Sequence, residues 1–418
     1  MNTIGIVAEY NPFHSGHAHQ IAESRRAIGG ETAVVAVMSG NWVQQADCAI
    51  ADKWLRARLA LMGGVDLVLE LPTLWAVSSA ESFAQGAVDL LAASGVVDTL
   101  SFGSECGDVD KLQRVAACLD SPSYHAGLRR FMDEGMPFAA CRQAAVRERL
   151  GDELSALLSK PNNNLGVEYI RALNARKSGI RPMTIQRKGA AHNSVSAAVV
   201  RWEDETYLSC PTAMDLPPFV SATQIRCHLL VDRWDQAEPY LVPGGRALLE
   251  GHRIGLPALE QVHRAMLAQV RLMTAEDWAR LPDSGAAEGL PQRLEQAGRQ
   301  CASIDQFFDL AKTKRYTHAR LRRLLLWAYL GLTQADRPEH PSYLRVLGFN
   351  EQGRLLLKQM KQTASLPILT KPAHAKELDP VGRRIFELEA RCTDLYDLCF
   401  ETIPTPGREW TTGPAILL

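Results

Sequence analysis

The strongest constraint on the fold is a regular alternation of apolar runs and glycine-terminated amphipathic stretches in the first hundred residues. "TIGIVAEY", "TAVVAVMSG", "VDLVLELP" and "VDTLSFGSE" are separated by "GHAHQIAESRRAIG", "AIADKWLRARLALMGG" and "AESFAQGAVDLLAASG". The Val/Ile/Leu runs are continuous rather than alternating, which marks strands buried on both faces and hence a parallel sheet. Right-handed crossovers through the intervening helices then give a Rossmann-like, doubly wound α/β fold. Residues 110–159 read as helical, "PMTIQRKG" as one more strand and "SATQIRCHLL" as a helix that starts on a hydroxyl cap. A boundary is expected near Asp232 to Pro243, which divides the chain into residues 1–235 and a mostly α-helical C-terminal domain, 236–418.

At 418 residues, two domains are the natural expectation. With 46 basic and 47 acidic residues the net charge is −1, so any nucleic-acid binding must come from a local patch. The nine cysteines are scattered without a CxxC pair, which argues against a disulfide framework and against a zinc knuckle. No apolar run reaches the roughly 18 residues of a membrane span, and the chain enters a strand with no signal-like core before it. A reducing cytoplasm and no membrane association are expected.

Two segments carry chemistry. The turn after the first strand reads Asn11-Pro12-Phe13-His14-Ser15-Gly16-His17. In a parallel α/β sheet, ligands collect where strands end and helices begin, and a helix N-terminus offers unpaired N–H groups to a phosphate. Gly16 lets backbone approach the ligand, and histidines three apart can donate to phosphoryl oxygens as charge develops. The plainer alternative is a helix cap that happens to contain histidines. Ser221-Ala222-Thr223-Gln224-Ile225-Arg226 is a second anion cradle, or else an ordinary capped helix with a surface arginine.

HxGH in the first βα turn together with SxTxxR late in the same region resembles the paired signature of the HIGH nucleotidyltransferases. "GIVAEYNPFHSGH", "MSGNWVQQADCAIADKW", "FGSE", "KPNNNLGVEYIRAL", "QRKGAAHNS", "SATQIR", "KTKRYTHARLRRLLLWAYLGL" and "YLRVLGFNEQG", in this order, resemble the bacterial tRNA(Met) cytidine acetate ligases. The resemblance implies two steps: acetate and ATP give acetyl-adenylate and diphosphate, and the acetyl group passes to N4 of the wobble cytidine of elongator tRNA(Met). It implies that residues 1–235 form the ATP-binding catalytic domain and that 236–418 bind tRNA. It further implies that Val7, Ala8, Glu9, Tyr10, Asn11, Pro12, Phe13, His14, Ser15, Gly16, His17, Ala18, His19 and Gln20 wrap ATP. Gly103, Asn162 (or Asn163, the register being open by one), Arg187, Ser221 and Thr223 complete that site. His14, His17, Lys188 and Arg226 are the expected catalytic residues. In-line displacement at phosphorus calls for positioning and charge neutralisation, with Mg²⁺ on the departing diphosphate. No dedicated metal cage is evident, so the ion is expected to be carried by ATP.

The family's "FVQRGEPA" is replaced here by Trp42-Val43-Gln44-Gln45-Ala46-Asp47-Cys48-Ala49, which puts Gln45 where arginine is usual. "KTKRYTHARLRRL" holds six Lys or Arg and no acid. At a helical pitch Lys312, Arg315, Arg320, Arg322 and Arg323 fall within roughly 160° of one face, a stripe suited to an RNA backbone, with Tyr316 as stacking surface. A small-molecule adenylyltransferase or ATP-dependent ligase of the same superfamily is the alternative reading, although such an enzyme has no use for the basic segment. No protein partner is implied.

Overall fold

The fold is a computed structural model that describes residues 1–187, 219–251, 255–285 and 288–418. The strands are β1 (Asn2–Ala8), β2 (Thr32–Ser39), β3 (Trp42–Val43), β4 (Asp47–Cys48), β5 (Leu67–Leu71), β6 (Thr99–Ser104), β7 (Arg181–Gln186), β8 (Leu344–Asn350), β9 (Ile368–Leu369) and β10 (Ala415–Leu417). The main sheet runs β10-β8-β5-β2-β1-β6-β7, with β9 paired to β8, and β3 and β4 form a separate antiparallel hairpin. Every pairing in the main sheet is parallel except β5 with β8. This is the expected doubly wound α/β architecture. On β2, Ala33, Val35 and Val37 join one apolar cluster while Val34, Ala36 and Met38 join another, so both sheet faces are covered.

After β1 the chain winds towards β2 and β5, then returns to place β6 on β1's other side. Strand order therefore reverses at β1, and a crevice opens at the carboxyl edges of β1 and β6. The helix after β1, α1 (Ser15–Ile28), borders that crevice. It is held against β6 by Ser24 Oγ, 2.7 Å from Ser101 Oγ.

The C-terminal half, expected to be mostly α-helical, also contributes strands. "LRVLGFN" is β8, buried over Leu344–Leu347, and pairs antiparallel with β5, while β10 extends the sheet beyond it. Residues past 235 thus supply part of the N-terminal sheet. Leu324, Leu325 and Trp327 share a cluster with Val35 and Leu69, so the apolar core also crosses that boundary.

A buried ionic cluster joins the halves. Lys53, at the start of α2 (Lys53–Met62), lies 2.6 Å from Glu70 Oε1 and 2.5 Å from Glu409 Oε2. Burial works against the ammonium, but Glu409 and Glu70 outweigh it and hold Lys53 above the usual lysine range. Glu389 accepts from the Thr73 N–H (2.5 Å) and hydroxyl (2.8 Å). Burial, then the charge of Glu70, pushes Glu389 up to about 8, which leaves it largely protonated at neutral pH.

Candidate active site

An open cleft of about 600 Å³ sits at the carboxyl edges of β1, β6 and β7. Among the expected residues His14, Gly16, His17, His19, Gln20, Gly103, Arg187 and Ser221 line it, joined by Ile185, Gln186, Phe219 and Val220. The last four were not expected. Ile185 and Gln186 simply continue β7 to its end, whereas Phe219 gives no local signal of its position.

The histidines are held by their own helix. His14 is the N-cap of α1, and its Nδ1 accepts the Gly16 N–H at 3.0 Å. His17 Nδ1 accepts the His14 N–H at 3.3 Å, which closes a reciprocal capping box made of imidazoles. Burial lowers the His14 pKa to about 4, with Arg187 and Arg226 adding to the effect. His17 is lowered by burial, then by His14 and Arg187. Both rings are therefore neutral at pH 7. Because each Nδ1 accepts, the ring proton is assigned to Nε2, which leaves two N–H donors beside the helix N-terminus. Gly16 is needed at this spot: a Cβ there would lie 2.8 Å from His14 Cε1.

Elsewhere the loop is turned inward. Tyr10 and Phe13 are buried in the apolar core, and the Asn11 side chain accepts the Ile50 N–H at 2.7 Å. These residues shape the turn, and their side chains are not among those that line the cleft. Ser15 Oγ and His19 Nε2 are buried polar atoms with no hydrogen-bond partner among the described residues. Val7, Ala8, Glu9, Pro12 and Ala18 likewise do not line the cleft.

Asn162 and Asn163 are not among the residues that line the cleft, and Asn163 is spent on structure. Its Oδ1 accepts the Glu105 and Cys106 N–H groups at 2.9 and 3.1 Å, and Glu105 Oε2 accepts the Asn163 N–H at 2.7 Å. Asn162 donates from Nδ2 to Glu105 Oε1 at 2.8 Å and accepts from Arg187 at 3.4 Å. Of the two, Asn162 is the one coupled to a cleft arginine. Glu105 is the bracket for both, a role that "FGSE" alone does not reveal. A Cβ on Gly103 would press the Arg187 stem at 3.2 Å. Lys188 lies outside the described residues.

Ser221 caps the helix Ala222–Leu230, with Oγ accepting the Gln224 N–H at 3.2 Å. Arg226 donates to the Asn11 carbonyl at 2.8 Å and to Thr223 Oγ1 at 3.2 Å. The two motifs, far apart in sequence, are thus joined by a direct hydrogen bond. Among the described residues the cleft offers imidazole, guanidinium and hydroxyl groups and no carboxylate, a lining that fits polyphosphate.

The sequence model of the HIGH Nucleotidyl Transferase family matches residues 1–408. The tRNA(Met) cytidine acetate ligase of Caldanaerobacter subterraneus subsp. tengcongensis is 38% identical over 96% of each chain, and that of Acetivibrio thermocellus 33% over the whole of both. The chain belongs to this ligase family. Thermotoga maritima TmcAL bound with alpha-thio ATP superposes with a TM-score of 0.88 at 31% identity over 100% of this chain and 99% of that one, and its apo form with 0.90 at 32% over both whole chains.

The basic segment differs from the single helical stripe expected. The helix is His318–Leu330, capped by Thr317, so Lys312, Lys314 and Arg315 precede it. Tyr316 is buried, its hydroxyl donating to the Glu288 carbonyl at 2.8 Å, which removes it as a stacking surface. Arg320 donates to the Asp283 carbonyl at 2.7 Å and to Glu288 at 3.2 Å. Arg322 and Arg323 are partly buried, whereas Lys314 and Arg315 are exposed. Gln45 is exposed at the tip of the β3–β4 hairpin and does not line the cleft.

Proposed function

We propose that the chain activates acetate with ATP as acetyl-adenylate and transfers the acetyl group to N4 of the wobble cytidine of elongator tRNA(Met). One observation carries the nucleotide half: two neutral imidazoles, both aimed by backbone hydrogen bonds, sit at the N-terminus of α1 in a cleft that also holds Arg187. In this reading the Nε2–H groups of His14 and His17 donate to phosphate oxygens as charge moves onto the departing diphosphate. Arg187 and Arg226 supply positive charge from either side, and the α1 N-terminus adds its dipole. Asn162 positions Arg187, and Ser221 and Thr223 hold the helix that presents Arg226. Magnesium enters on the nucleotide, and the described side chains offer it no cage.

The RNA half is supported by the charge of the 312–323 segment. The exposed Lys314 and Arg315, together with Lys312, are the phosphate contacts in this reading, with Arg322 next along the helix. Arg320, bonded to the Asp283 carbonyl and to Glu288, holds the segment in shape. No described helix is long and apolar enough to cross a membrane, and tRNA as acceptor fits work in the cytoplasm.

The test is to incubate the protein with ATP, labelled acetate and tRNA(Met), then digest the tRNA and identify the labelled nucleoside by mass. N4-acetylcytidine with stoichiometric AMP is the expected product. Acetate-dependent AMP formation with the label on any other acceptor would overturn the assignment.

A further inference from the structure

Arg187 lines the cleft on a long, flexible stem, so what aims it matters as much as its charge. It is held at three points. Its backbone N–H donates to the Ser104 carbonyl at 2.9 Å, its stem lies over Gly103, and Nη1 donates to Asn162 Oδ1 at 3.4 Å. Among the described residues that last bond is the one hydrogen bond of the guanidinium. The Asn162 amide has a donor end and an acceptor end, and only the acceptor end can receive an arginine. Glu105 decides which end that is: its Oε1 takes Asn162 Nδ2 at 2.8 Å, which turns Oδ1 towards Arg187. The same carboxylate closes the N-terminus of the helix Pro161–Ala175, with Oε1 accepting the Asn162 N–H at 3.2 Å and Oε2 the Asn163 N–H at 2.7 Å. Asn163 Oδ1 accepts the Glu105 N–H at 2.9 Å in return, so the glutamate is itself fixed. Three donors thus converge on one carboxylate, and a neutral amide, with one acceptor oxygen in place of two, cannot serve both sides.

We infer that Glu105 is a positioning residue of the nucleotide cleft: acting through Asn162, it holds Arg187 in the direction from which that side chain meets the phosphates of ATP. The inference rests on the ATP-binding reading above. The sign of the effect sets it apart from simple electrostatics. A carboxylate near a polyphosphate repels it, so by charge alone Glu105 would weaken binding. An arginine that must be ordered as the ligand arrives costs about two- to tenfold in affinity, and prior alignment removes that cost. The helix N-terminus that Glu105 closes carries a partial positive charge, which offsets the repulsion and leaves the alignment as the larger effect.

The test measures the ATP dissociation constant by calorimetric titration of the full chain, in the parent and in Arg187→Ala, each with and without Glu105→Gln. In the parent, Glu105→Gln should weaken ATP binding about two- to tenfold, although it removes a negative charge. In the Arg187→Ala background it should leave the affinity unchanged or raise it, because the guanidinium to be aimed is gone and only the repulsion is relieved. Glu105→Asp, which keeps the charge and both acceptor oxygens, should retain more of the affinity than Glu105→Gln. Equal weakening in both backgrounds, the mark of a disturbed helix N-terminus, would overturn the inference, and so would unchanged or tighter binding in the parent. If Glu105→Gln does not melt cooperatively, Asn162→Ala takes its place in the same cycle, since it breaks the relay and leaves Glu105 on both backbone N–H groups; the same outcomes decide. Absence of ATP binding by the unaltered protein would instead refute the nucleotide reading, so the two failures are told apart by the control.

Discussion

Gly16→Ala separates the helix-capping role of His14 from its chemical one. The added Cβ would stand 2.8 Å from His14 Cε1 and 3.1 Å from Nδ1, well inside ordinary contact, so the imidazole must rotate away. Rotation breaks the 3.0 Å bond from the Gly16 N–H to Nδ1. The loss of an N-cap bond costs about 1 kcal/mol. Alanine in place of glycine within a helix returns roughly 0.5–1 kcal/mol. The two nearly cancel, so thermal stability should barely move. The chemistry has no such offset: withdrawing one aimed donor from developing charge costs roughly 2.7–4 kcal/mol, or about 10²–10³ in rate. The His17 ring, with its centroid 3.9 Å from that of His14, would be disturbed too, which pushes the loss upwards. Acetate-dependent ATP–diphosphate exchange together with a thermal melt reads both quantities. A variant that melts normally and exchanges within about threefold of the parent, a difference under 1 kcal/mol, would refute the assignment of His14 as a phosphate donor.

Two further outcomes follow from the geometry. Lys53→Met strands Glu70 and Glu409 in the interior with Arg345, whose Nε is 3.6 Å from Glu409 Oε1; removing one partner of a buried pair costs about 3–5 kcal/mol, read as a lowered urea midpoint at unchanged m, and a loss under about 1 kcal/mol would count against a structural role for the cluster. Lys314→Ala with Arg315→Ala should weaken tRNA binding and make its log–log salt slope shallower by about one unit per side chain. Arg320→Ala, which removes the bonds to the Asp283 carbonyl and Glu288, should act through folding instead, and a salt slope that follows Arg320 rather than the exposed pair would reverse the assignment.

What could be read from the sequence depended on whether the cause was local. β1, β2, β5 and β6 announce themselves because a doubly covered parallel strand is apolar at every position. β8 does not. Its "LRVLGFN" contains Arg345, which breaks the apolar run, and the residue is 1% exposed only because the Thr412 carbonyl (3.1 Å) and Glu409 meet it. Those partners lie far along the chain, so no window around Arg345 reveals that it is a core residue. Thr317 was a local signal: its hydroxyl caps the helix start, and that alone excludes Lys312 and Arg315 from the helical face. For the histidines, position at a βα turn was legible, but their neutrality and the assignment of the proton to Nε2 follow from burial and two backbone bonds. Choosing between Asn162 and Asn163 required Glu105, a residue whose part is visible only once β6 and the helix Pro161–Ala175 are side by side.

The way β8 enters the sheet bears on how an activated acetyl group could reach RNA. Separate domains linked by a small polar interface move relative to each other by default. Here the halves share a β-ladder, an apolar core and buried charges. Asp52, the cap of α2, pairs with Arg408 at 2.5 Å, and Arg408 reaches Asp397 at 3.0 Å. Swinging the C-terminal half away would break the β5–β8 ladder and expose Lys53, Glu70 and Glu409 without their partners, at a cost far beyond thermal energy. The basic loop before His318 is therefore held at a fixed position relative to the cleft. An acetyl-adenylate that reacts with water is better served by this arrangement than by a hinged one, because the acceptor can be brought to the carbonyl without opening the nucleotide site.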